Sequence, residues 1–408
     1  MKKSLALLFV CIMALASVLG GCSGGSDDKN TLTVWAMGEE GKKLNQLAKK
    51  FEKENPDIHV KVQAIPWASA HDKLLTAVAS QKGPDVLQLG TTWVPEFADA
   101  GALKDLTPYL DKYPNFKPDN YFDGAVQTMK SDGKIISIPW YVETRVLFYR
   151  KDLLKDAGYD QAPATWDELK DAATKLAARG GKNLGIDIDR KDQITPFIFA
   201  WQNGYDFKME NGKGNFDDPK FKEAMKYYSS FFKEGLSSTT DGVDIVQAFK
   251  DGQKPMFISG PWMIKILNDQ APDLKGKWSV AVLPKKETNT SSIGGANFSV
   301  FNSSKHVDQA LKFINYVSKV DTQLDWLKIS DALPSRKEAW NDPALKDDPM
   351  FATFGEQLKN TKTSPQIKEW EAVAQDLIDA LEKVNVGGAD LDKEMKDFEK
   401  KANDALKK

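Results

Sequence analysis

The sequence is poor in cysteine and histidine, and both shortages exclude kinds of site. Cys11 and Cys22 are its only cysteines among 408 residues. A mature chain that begins at Cys22 would have no internal disulfide, no cysteine-based zinc site and no catalytic thiol. The three histidines, His59, His71 and His306, are scattered along the chain. We therefore expect neither a metal site nor a histidine-based catalytic group.

Excess charge and catalytic motifs are missing as well. Lys and Arg number 56 against 58 for Asp and Glu, a net charge of -2, which disfavours nucleic acid as the main partner. The sequence has no P-loop, no G-x-S-x-G and no H-E-x-x-H motif. We expect no ATP hydrolysis, no cofactor and no enzymatic activity. A secreted glycoside hydrolase stays open as an alternative, because it needs only two carboxylates about 5–9.5 Å apart.

The first residues have the composition of a bacterial secretory signal. Residues 1–3 contain two lysines, and residues 5–18 form an apolar run too short for a stable transmembrane helix. The run ends at residues 19–22, whose sequence Leu-Gly-Gly-Cys resembles the lipobox of bacterial lipoproteins. We predict a signal peptide over residues 1–21, a lipidated Cys22 and a flexible tether over 22–30. The alternative is an ordinary signal peptide with an incidental cysteine.

The chain then alternates between strand and helix patterns. Residues 31–35 and 85–89 are rich in strand-forming residues, and residues 58–62 alternate between apolar and polar. Apolar residues at helical spacing occupy 44–51 and 74–78 between these strands. This order predicts a parallel, doubly wound α/β sheet. Ligands bind such sheets outside the carboxyl ends of the strands, so we expect a site in the loops after the first and third strands.

A second set of strand and helix patterns follows. Residues 135–152 contain two strand-like halves joined through 139–141, and Thr165 with Glu168 forms a capping box for a helix that ends near 180–181. Later segments are predicted as a helix over 219–233, a strand over 255–259, a helix from Pro261, a strand over 278–283 and a charged helix from Ala389. About 380 mature residues exceed the roughly 250–300 that one core accommodates, so we expect two lobes.

Several segments carry a family resemblance in matching order. They are residues 138–145 (Ile-Pro-Trp-Tyr-Val-Glu-Thr-Arg), 147–153, 163–169, 260–262, 294–297 and 332–336. Together they resemble the family 1 extracellular solute-binding proteins, the group that includes maltose-binding protein. Arg150 departs from the family pattern, which has Asn or Asp at that position.

The resemblance implies a two-lobed, periplasmic-binding-protein-like (type II) α/β fold with a hinge of crossing segments and a ligand cleft between the lobes. The first lobe would comprise residues 31–142 plus 294–333. The second lobe would comprise residues 143–293 plus 334–408.

Aromatic residues are the first candidates for the cleft, because sugars stack their C–H faces on aromatic rings. The resemblance implies that Trp262 and Trp370 contact the sugar, and Trp93 lies in the loop after the third strand. Most of the eleven tryptophans are expected to fill cores, among them Trp166, Trp278 and Trp340. For a further group, packing and binding are both open, namely Trp201, Tyr141, Trp140, Trp35 and Trp67.

Polar candidates lie near the crossing segments and the first strand. Glu143 matches a sugar-contacting Glu of the family, and Arg145 would share its face at i+2; a hinge salt bridge between lobes is the alternative for this pair. Glu39 and Glu40 are both acidic where relatives have an acidic-basic pair. The lesser candidates are Thr91, Thr92, Asn297 and Gly295, the last because glycine lets backbones approach closely.

The resemblance implies the substrate-binding lipoprotein of an ABC importer, a monomer that captures an oligosaccharide and delivers it to the permease subunits while a separate ATPase drives import. It would be held by its lipid at the extracellular face of the cytoplasmic membrane. A ligand that contacts both lobes would favour the closed form. Two further alternatives are the same fold with a peptide or polyamine as ligand, and a structural surface lipoprotein.

Overall fold

The computed structural model describes residues 30–240 and 244–407. The predicted signal peptide, the lipidation site at Cys22 and the tether up to residue 29 lie outside the described residues. Within the described part of the chain, none of the helices combines the length and the apolar character needed to span a membrane.

Strands are distributed along the whole of the described chain. They are β1 (Thr31–Met37), β2 (His59–Ile65), β3 (Val86–Gly90), β4 (Lys130–Ser131), β5 (Lys134–Ile135), β6 (Ile138–Thr144), β7 (Val146–Arg150), β8 (Met209–Glu210), β9 (Lys213–Gly214), β10 (Met256–Ser259), β11 (Trp278–Ala281), β12 (Ser291–Val300), β13 (Leu333–Pro334) and β14 (Thr361–Lys362).

Helices separate most of these strands. They are α1 (Gly38–Lys43), α2 (Asn45–Glu54), α3 (Trp67–Ser80), α4 (Val94–Asp99), α5 (Asp123–Thr128), α6 (Lys151–Asp156), α7 (Trp166–Ala177), α8 (Thr195–Gln202), α9 (Pro219–Lys233), α10 (Ile245–Lys250), α11 (Trp262–Gln270), α12 (Val307–Val317), α13 (Val320–Ser330), α14 (Pro343–Lys346), α15 (Pro349–Leu358), α16 (Trp370–Asn385) and α17 (Leu391–Ala405). Short 3₁₀ turns span Thr107–Tyr109, Pro114–Phe116, Pro118–Asn120, Pro272–Leu274 and Lys337–Asn341.

The larger sheet has the strand order β13-β6-β12-β3-β1-β2, and β14 extends β12 at one end. β1 runs parallel to β2 and β3, which confirms the parallel arrangement predicted for the first three strands. β12 runs antiparallel to both β3 and β6, and β13 is antiparallel to β6. The sheet is therefore mixed, with β12 at its centre.

Both faces of this sheet are covered by apolar clusters. Val34 of β1 packs in one cluster with Phe51 of α2. Leu87 of β3 packs in another cluster with Phe97 of α4, on the side of α3. Successive side chains of a strand point to opposite faces, so alternate apolar positions supply the two layers. This is the doubly wound packing that the first lobe was predicted to have.

The second lobe is built around a smaller sheet of three antiparallel strands in the order β10-β7-β11. A separate apolar cluster contains side chains of α7, α8, α9, α16 and α17. Half of the predicted capping box is present at α7, where Thr165 Oγ1 accepts the Glu168 N–H at 3.2 Å. The Glu168 carboxylate accepts the N–H of Ala164, one residue before the N-cap, at 2.7 Å. The predicted helix over 219–233 is α9 with the same bounds.

The chain leaves the larger sheet at Arg145, between β6 and β7. The prediction that the two strand halves join through residues 139–141 is wrong, because these residues lie inside β6. Pro139 is accommodated there because the register of β6 and β12 shifts between Ala296 and Asn297, beside its missing N–H. At the actual break, Ser291 Oγ donates to the Arg145 carbonyl at 2.7 Å and accepts the Arg145 N–H at 3.2 Å.

Arg150, which departs from the family pattern, is part of the fold of the second lobe. Its buried guanidinium donates to both carboxylate oxygens of Asp152 at 2.8 and 2.7 Å. It also donates to the carbonyl of Phe249 at 2.9 Å, which links β7 to α10. Arg150 therefore stabilises the second lobe and does not line the cleft.

Candidate functional site

A cleft with a cavity of about 600 Å³ lies where the two lobes face each other. Its walls include the turn after β3, the hinge at β6 and β12, the start of α11 and the start of α16. The start of α1, directly after β1, contributes Glu40, and the turn after β3 contributes residues 91–93. The expectation that a site forms outside the carboxyl ends of these strands therefore agrees with the position of the cavity.

The first-lobe wall carries a pair of tryptophans. Trp67 begins α3 and Trp93 immediately precedes α4, and their rings lie 5.3 Å apart at 65°. Trp67 is 37% exposed. His71 lies behind this pair, with its ring 5.2 Å from Trp93 and its Nε2 2.7 Å from the carboxylate of Glu96. Both rings therefore line the cavity, and the contact of His71 with Trp93 supports the pair from behind.

The opposite wall carries Trp262, which is the first residue of α11 and is 38% exposed. A side chain at Gly260 would collide with this ring, because a Cβ atom there would lie 2.1 Å from it. The guanidinium of Arg145 lies 4.8 Å from the ring centroid of Trp262. This distance permits a cation–π interaction. Aromatic surface thus faces the cavity from both lobes.

Arg145 contacts side chains from three segments that line the cleft, namely Glu143, Asp192 and Trp262. Its Nη1 lies 3.4 Å from Glu143 Oε1, and its Nε lies 3.4 Å from Asp192 Oδ2. Burial lowers the pKa of the Arg145 guanidinium, but the carboxylates of Glu143 and Asp192 more than offset this and hold it above its ordinary value. The ion pair proposed as the alternative for Glu143 and Arg145 is present, and both side chains line the cavity as well.

The charges of two acidic side chains, Glu40 and Glu143, act on the hydroxyl of Tyr141. Burial raises the pKa of Glu40, the charge of Lys43 lowers it, and the carboxylates of Glu143 and Glu39 raise it; the pKa stays above its ordinary value. Burial also raises the pKa of Tyr141 well above its ordinary value, with added contributions from Glu40 and Glu143. Tyr141 therefore stays neutral and keeps its O–H as a hydrogen-bond donor. The Gln88 amide lies within 3.5 Å of this oxygen.

Some buried polar atoms of the cleft have no hydrogen-bond partner in the described structure. They include the hydroxyl of Ser364, a residue only 3% exposed, and Nη1 of Arg145, whose contact with Glu143 is an ion pair without hydrogen-bond geometry. Both residues line the cavity. Buried polar groups are nearly always paired, so a ligand whose oxygens reach these atoms would be favoured.

The structure brings most of the predicted site residues to the cavity. Those that line it are Trp262, Glu143, Trp93, Trp370, Arg145, Glu40, Tyr141 and Thr92. Thr91 and Gly295, the lesser candidates, and Trp67, for which binding and packing were both open, also line it. Trp370 contributes little surface, because its side chain is 2% exposed and its ring packs 4.8 Å from Phe197.

Three predicted residues are placed elsewhere, which corrects the expectation that they line the cleft. Trp201 is 3% exposed in α8, a helix whose eight residues are all buried, so its ring belongs to the second-lobe core. Asn297 is buried in β12, where its amide donates to Thr128 Oγ1 at 3.0 Å and Ser137 Oγ at 2.8 Å. Glu39 points into solvent and pairs with Lys42.

Several lining residues were missed from sequence. They are Lys191, Asp192, Asp331, Ser364 and Glu371. Glu371 directly follows Trp370, so the prediction of Trp370 as a site residue could have pointed to Glu371 as well. Asp192 reaches Arg145 across 47 residues of chain, and no local pattern marks such a contact.

The chain resembles known proteins over most of its length. A sequence model of the family described as bacterial extracellular solute-binding protein matches residues 35–324. The galactooligosaccharide-binding protein of Bacillus subtilis is 27% identical, in an alignment that covers 96% of this chain and 94% of that protein.

Two solved structures are similar to this one. The sugar-binding protein MalE from Xanthomonas citri superimposes with a TM-score of 0.88 at 34% identity, over 92% of this chain and 97% of that one. The GacH receptor of Streptomyces glaucescens, solved without ligand and with acarbose, superimposes with a TM-score of 0.78 at 27% identity, over 92% of this chain and 98% of that one.

Proposed function

The chain belongs to the bacterial extracellular solute-binding proteins, and on that premise we propose that it captures a sugar in the cleft between its lobes. One observation carries the proposal: Trp67 and Trp93 on the first lobe and Trp262 on the second face one cavity that is also lined by carboxylates. Aromatic faces accept the C–H surface of a sugar ring, and carboxylates accept its hydroxyl hydrogens. Named relatives bind galactooligosaccharides and arabinooligosaccharides, which supports an oligosaccharide as ligand.

Capture would work by stabilising the closed arrangement of the lobes. A sugar that contacts Trp67 and Trp262 together binds the closed form more tightly than the open form, and only this difference in affinity shifts the equilibrium. The residues around Arg145 are suited to act as the hinge, since the chain breaks there between β6 and β7. The lobe boundaries that fit this motion are residues 31–142 plus 294–333 and residues 143–293 plus 334–408.

The wider setting of the proposal is an ABC importer. The closed protein would dock as a monomer on the permease subunits, and a separate ATPase would drive import. The chain would be a lipoprotein held by Cys22 at the extracellular face of the cytoplasmic membrane, after removal of its signal peptide. It would need no cofactor and would release its sugar chemically unchanged. The family is one of solute-binding proteins and not a class of enzymes, which supports this last point.

The experiment is isothermal titration of the mature chain with a panel of mono- and oligosaccharides, with polyamines and peptides included. Trp262→Ala should weaken sugar binding about 10- to 100-fold, since burial of an aromatic side chain is worth about 1.5–3 kcal/mol. Leu75→Ala is the control, because Leu75 is an apolar side chain of nearly equal exposure, at 37%, outside the cleft. Equal affinity of Trp262→Ala and the control would contradict the proposed stacking. Release of cleaved products would identify a hydrolase instead.

A further inference from the structure

The cleft has an excess of negative charge. Five carboxylate side chains line it, against the two cations Arg145 and Lys191. Arg145 is already engaged, because it lies 3.4 Å from the carboxylates of both Glu143 and Asp192. Among the residues that the structure describes, no lysine or arginine forms an ion pair with Glu40. Closure of the lobes would remove water from these groups, so Glu40 would need compensation from a ligand.

Glu40 shares a small space with an aromatic ring. A Cβ atom at Gly38 would lie 3.1 Å from Glu40 Oε2 and 2.6 Å from Trp67 Nε1. The carboxylate and the indole therefore adjoin each other above Gly38, whose φ of +59° suits glycine. Glu143 lines the same cavity as Glu40 and Trp67. Two carboxylates and an aromatic ring form a favourable environment for an organic cation.

The opposite side of the cleft requires hydrogen-bonding oxygens from the ligand and not a positive charge. Nη1 of Arg145 makes only the 3.4 Å ion-pair contact with Glu143, without hydrogen-bond geometry, so an acceptor oxygen of the ligand would complete its hydrogen bonding. The Ser364 hydroxyl, on a residue only 3% exposed, is unpartnered as well. A polyamine has donors but no acceptor oxygens, whereas a neutral sugar has oxygens but no positive charge. Neither alone meets both requirements.

We propose that the sugar captured by this chain bears a protonated amino group, which binds between Glu40, Glu143 and Trp67 while its hydroxyls reach Arg145 and Ser364. This inference rests on the proposed function and narrows its ligand class to amino sugars. A hydroxyl in place of the amine would donate a hydrogen bond to Glu40 but would leave the carboxylate charge uncompensated in the closed cleft. Burial is the largest cause of the raised pKa of Glu40, and it outweighs the charge of Lys43, which lowers this pKa without forming an ion pair with the carboxylate in the described part of the chain.

The test compares disaccharides that differ only by an amine or a hydroxyl at one carbon. We would titrate the mature chain at pH 7 with cellobiose, maltose and trehalose, each paired with its analogue that has one 2-amino group. In at least one pair the amine should bind tenfold or more tightly. Glu40→Gln should remove this preference, so that the amine and the hydroxyl partner of each pair bind with equal affinity within threefold. Glu40→Lys should reverse the preference.

Glu39→Gln is the matched control, because Glu39 is the adjacent carboxylate, points into solvent and pairs with Lys42. It should keep the full preference for the amine. Equal or tighter binding of the hydroxyl sugar in every pair that binds would overturn the inference and leave sugar capture intact. A preference that survives in Glu40→Gln would overturn the placement of the amine. Binding of spermidine but of no sugar would overturn the proposed function itself, whereas binding of none of these compounds would overturn this inference and leave sugar capture to the wider panel.

Discussion

Replacement of Gly295 by alanine should destabilise the first lobe and weaken ligand binding together. Gly295 lies in β12 on the wall of the cleft, with φ of +119°. A Cβ atom there would lie 2.2 Å from the Tyr141 carbonyl oxygen, and this oxygen belongs to the neighbouring strand β6. The substitution therefore strains the backbone and forces two strands apart at once.

The expected loss of folding stability in Gly295→Ala is the sum of these two effects. The backbone conformation costs about 1–3 kcal/mol for a residue with a side chain, and the steric overlap costs about 1–3 kcal/mol more. The sum, about 2–6 kcal/mol, corresponds to a fall in Tm of about 4–12 °C at roughly 2 °C per kcal/mol. The Gly295 carbonyl also accepts the Thr91 N–H at 3.2 Å. Movement of β12 should therefore displace the turn before Trp93 and weaken sugar binding.

Two control glycines separate the contributions. Gly158 has φ of +88° with nothing within 4 Å of a Cβ position, so Gly158→Ala tests strain alone, about 1–2 kcal/mol. Gly185 has no positive φ, but a Cβ atom there would lie 2.1 Å from the Ala173 carbonyl oxygen, so Gly185→Ala tests overlap alone. Calorimetry of all three variants, with titration of the best sugar, is the assay. A Gly295→Ala protein that melts within about 1 °C of the wild type would refute the reasoning.

Two further predictions concern Glu40 and Asn297. Because burial raises the pKa of Glu40 above its ordinary 4.5, folding disfavours the ionised form, and the free energy of unfolding should decline as pH rises from 4.5 through the raised pKa. Glu40→Gln should therefore be more stable than the wild type at neutral pH and equal to it below pH 4.5. Urea denaturation at a series of pH values measures this difference. A wild type that is more stable than the variant at neutral pH would contradict the prediction. Asn297→Ala should lose about 1–3 kcal/mol of stability, because the Thr128 and Ser137 oxygens lose a buried donor. Asn297→Ala should leave sugar affinity unchanged. A clear loss of affinity without loss of stability would indicate that Asn297 contacts the ligand.

The sequence was sufficient to predict the parts of the cleft that depend on local order. Residues 91–93 and Glu40 follow strands of a parallel sheet, and the carboxyl ends of such strands meet at one edge. Their presence on the cleft wall needed only the alternation of strands and helices. Glu39 and Glu40 could not be told apart in this way, because successive residues at a helix start point in different directions and only one of them faces the cavity.

Other errors came from features that only the folded chain contains. The face on which Asn297 lies depends on the register shift between it and Ala296, and a strand pattern of period two does not reveal such an irregularity. Trp201 is different, because the sequence Thr-Pro-Phe-Ile-Phe-Ala-Trp-Gln is apolar nearly all round the helix. Such a helix is typical of a core, and this signal could have excluded Trp201 from the site.

The central position of β12 also determines when the first lobe can fold. Synthesis proceeds from the amino terminus, so β3 and β6 leave the ribosome long before residues 291–300, which join them. Until then β6 is separate from the part of the sheet formed by β1, β2 and β3, and the edges of β3 and β6 that later pair with β12 have no partner strand. Pairings so distant in sequence make folding slow. A chain that folds late stays unfolded for longer, which would suit the export that we propose for this protein.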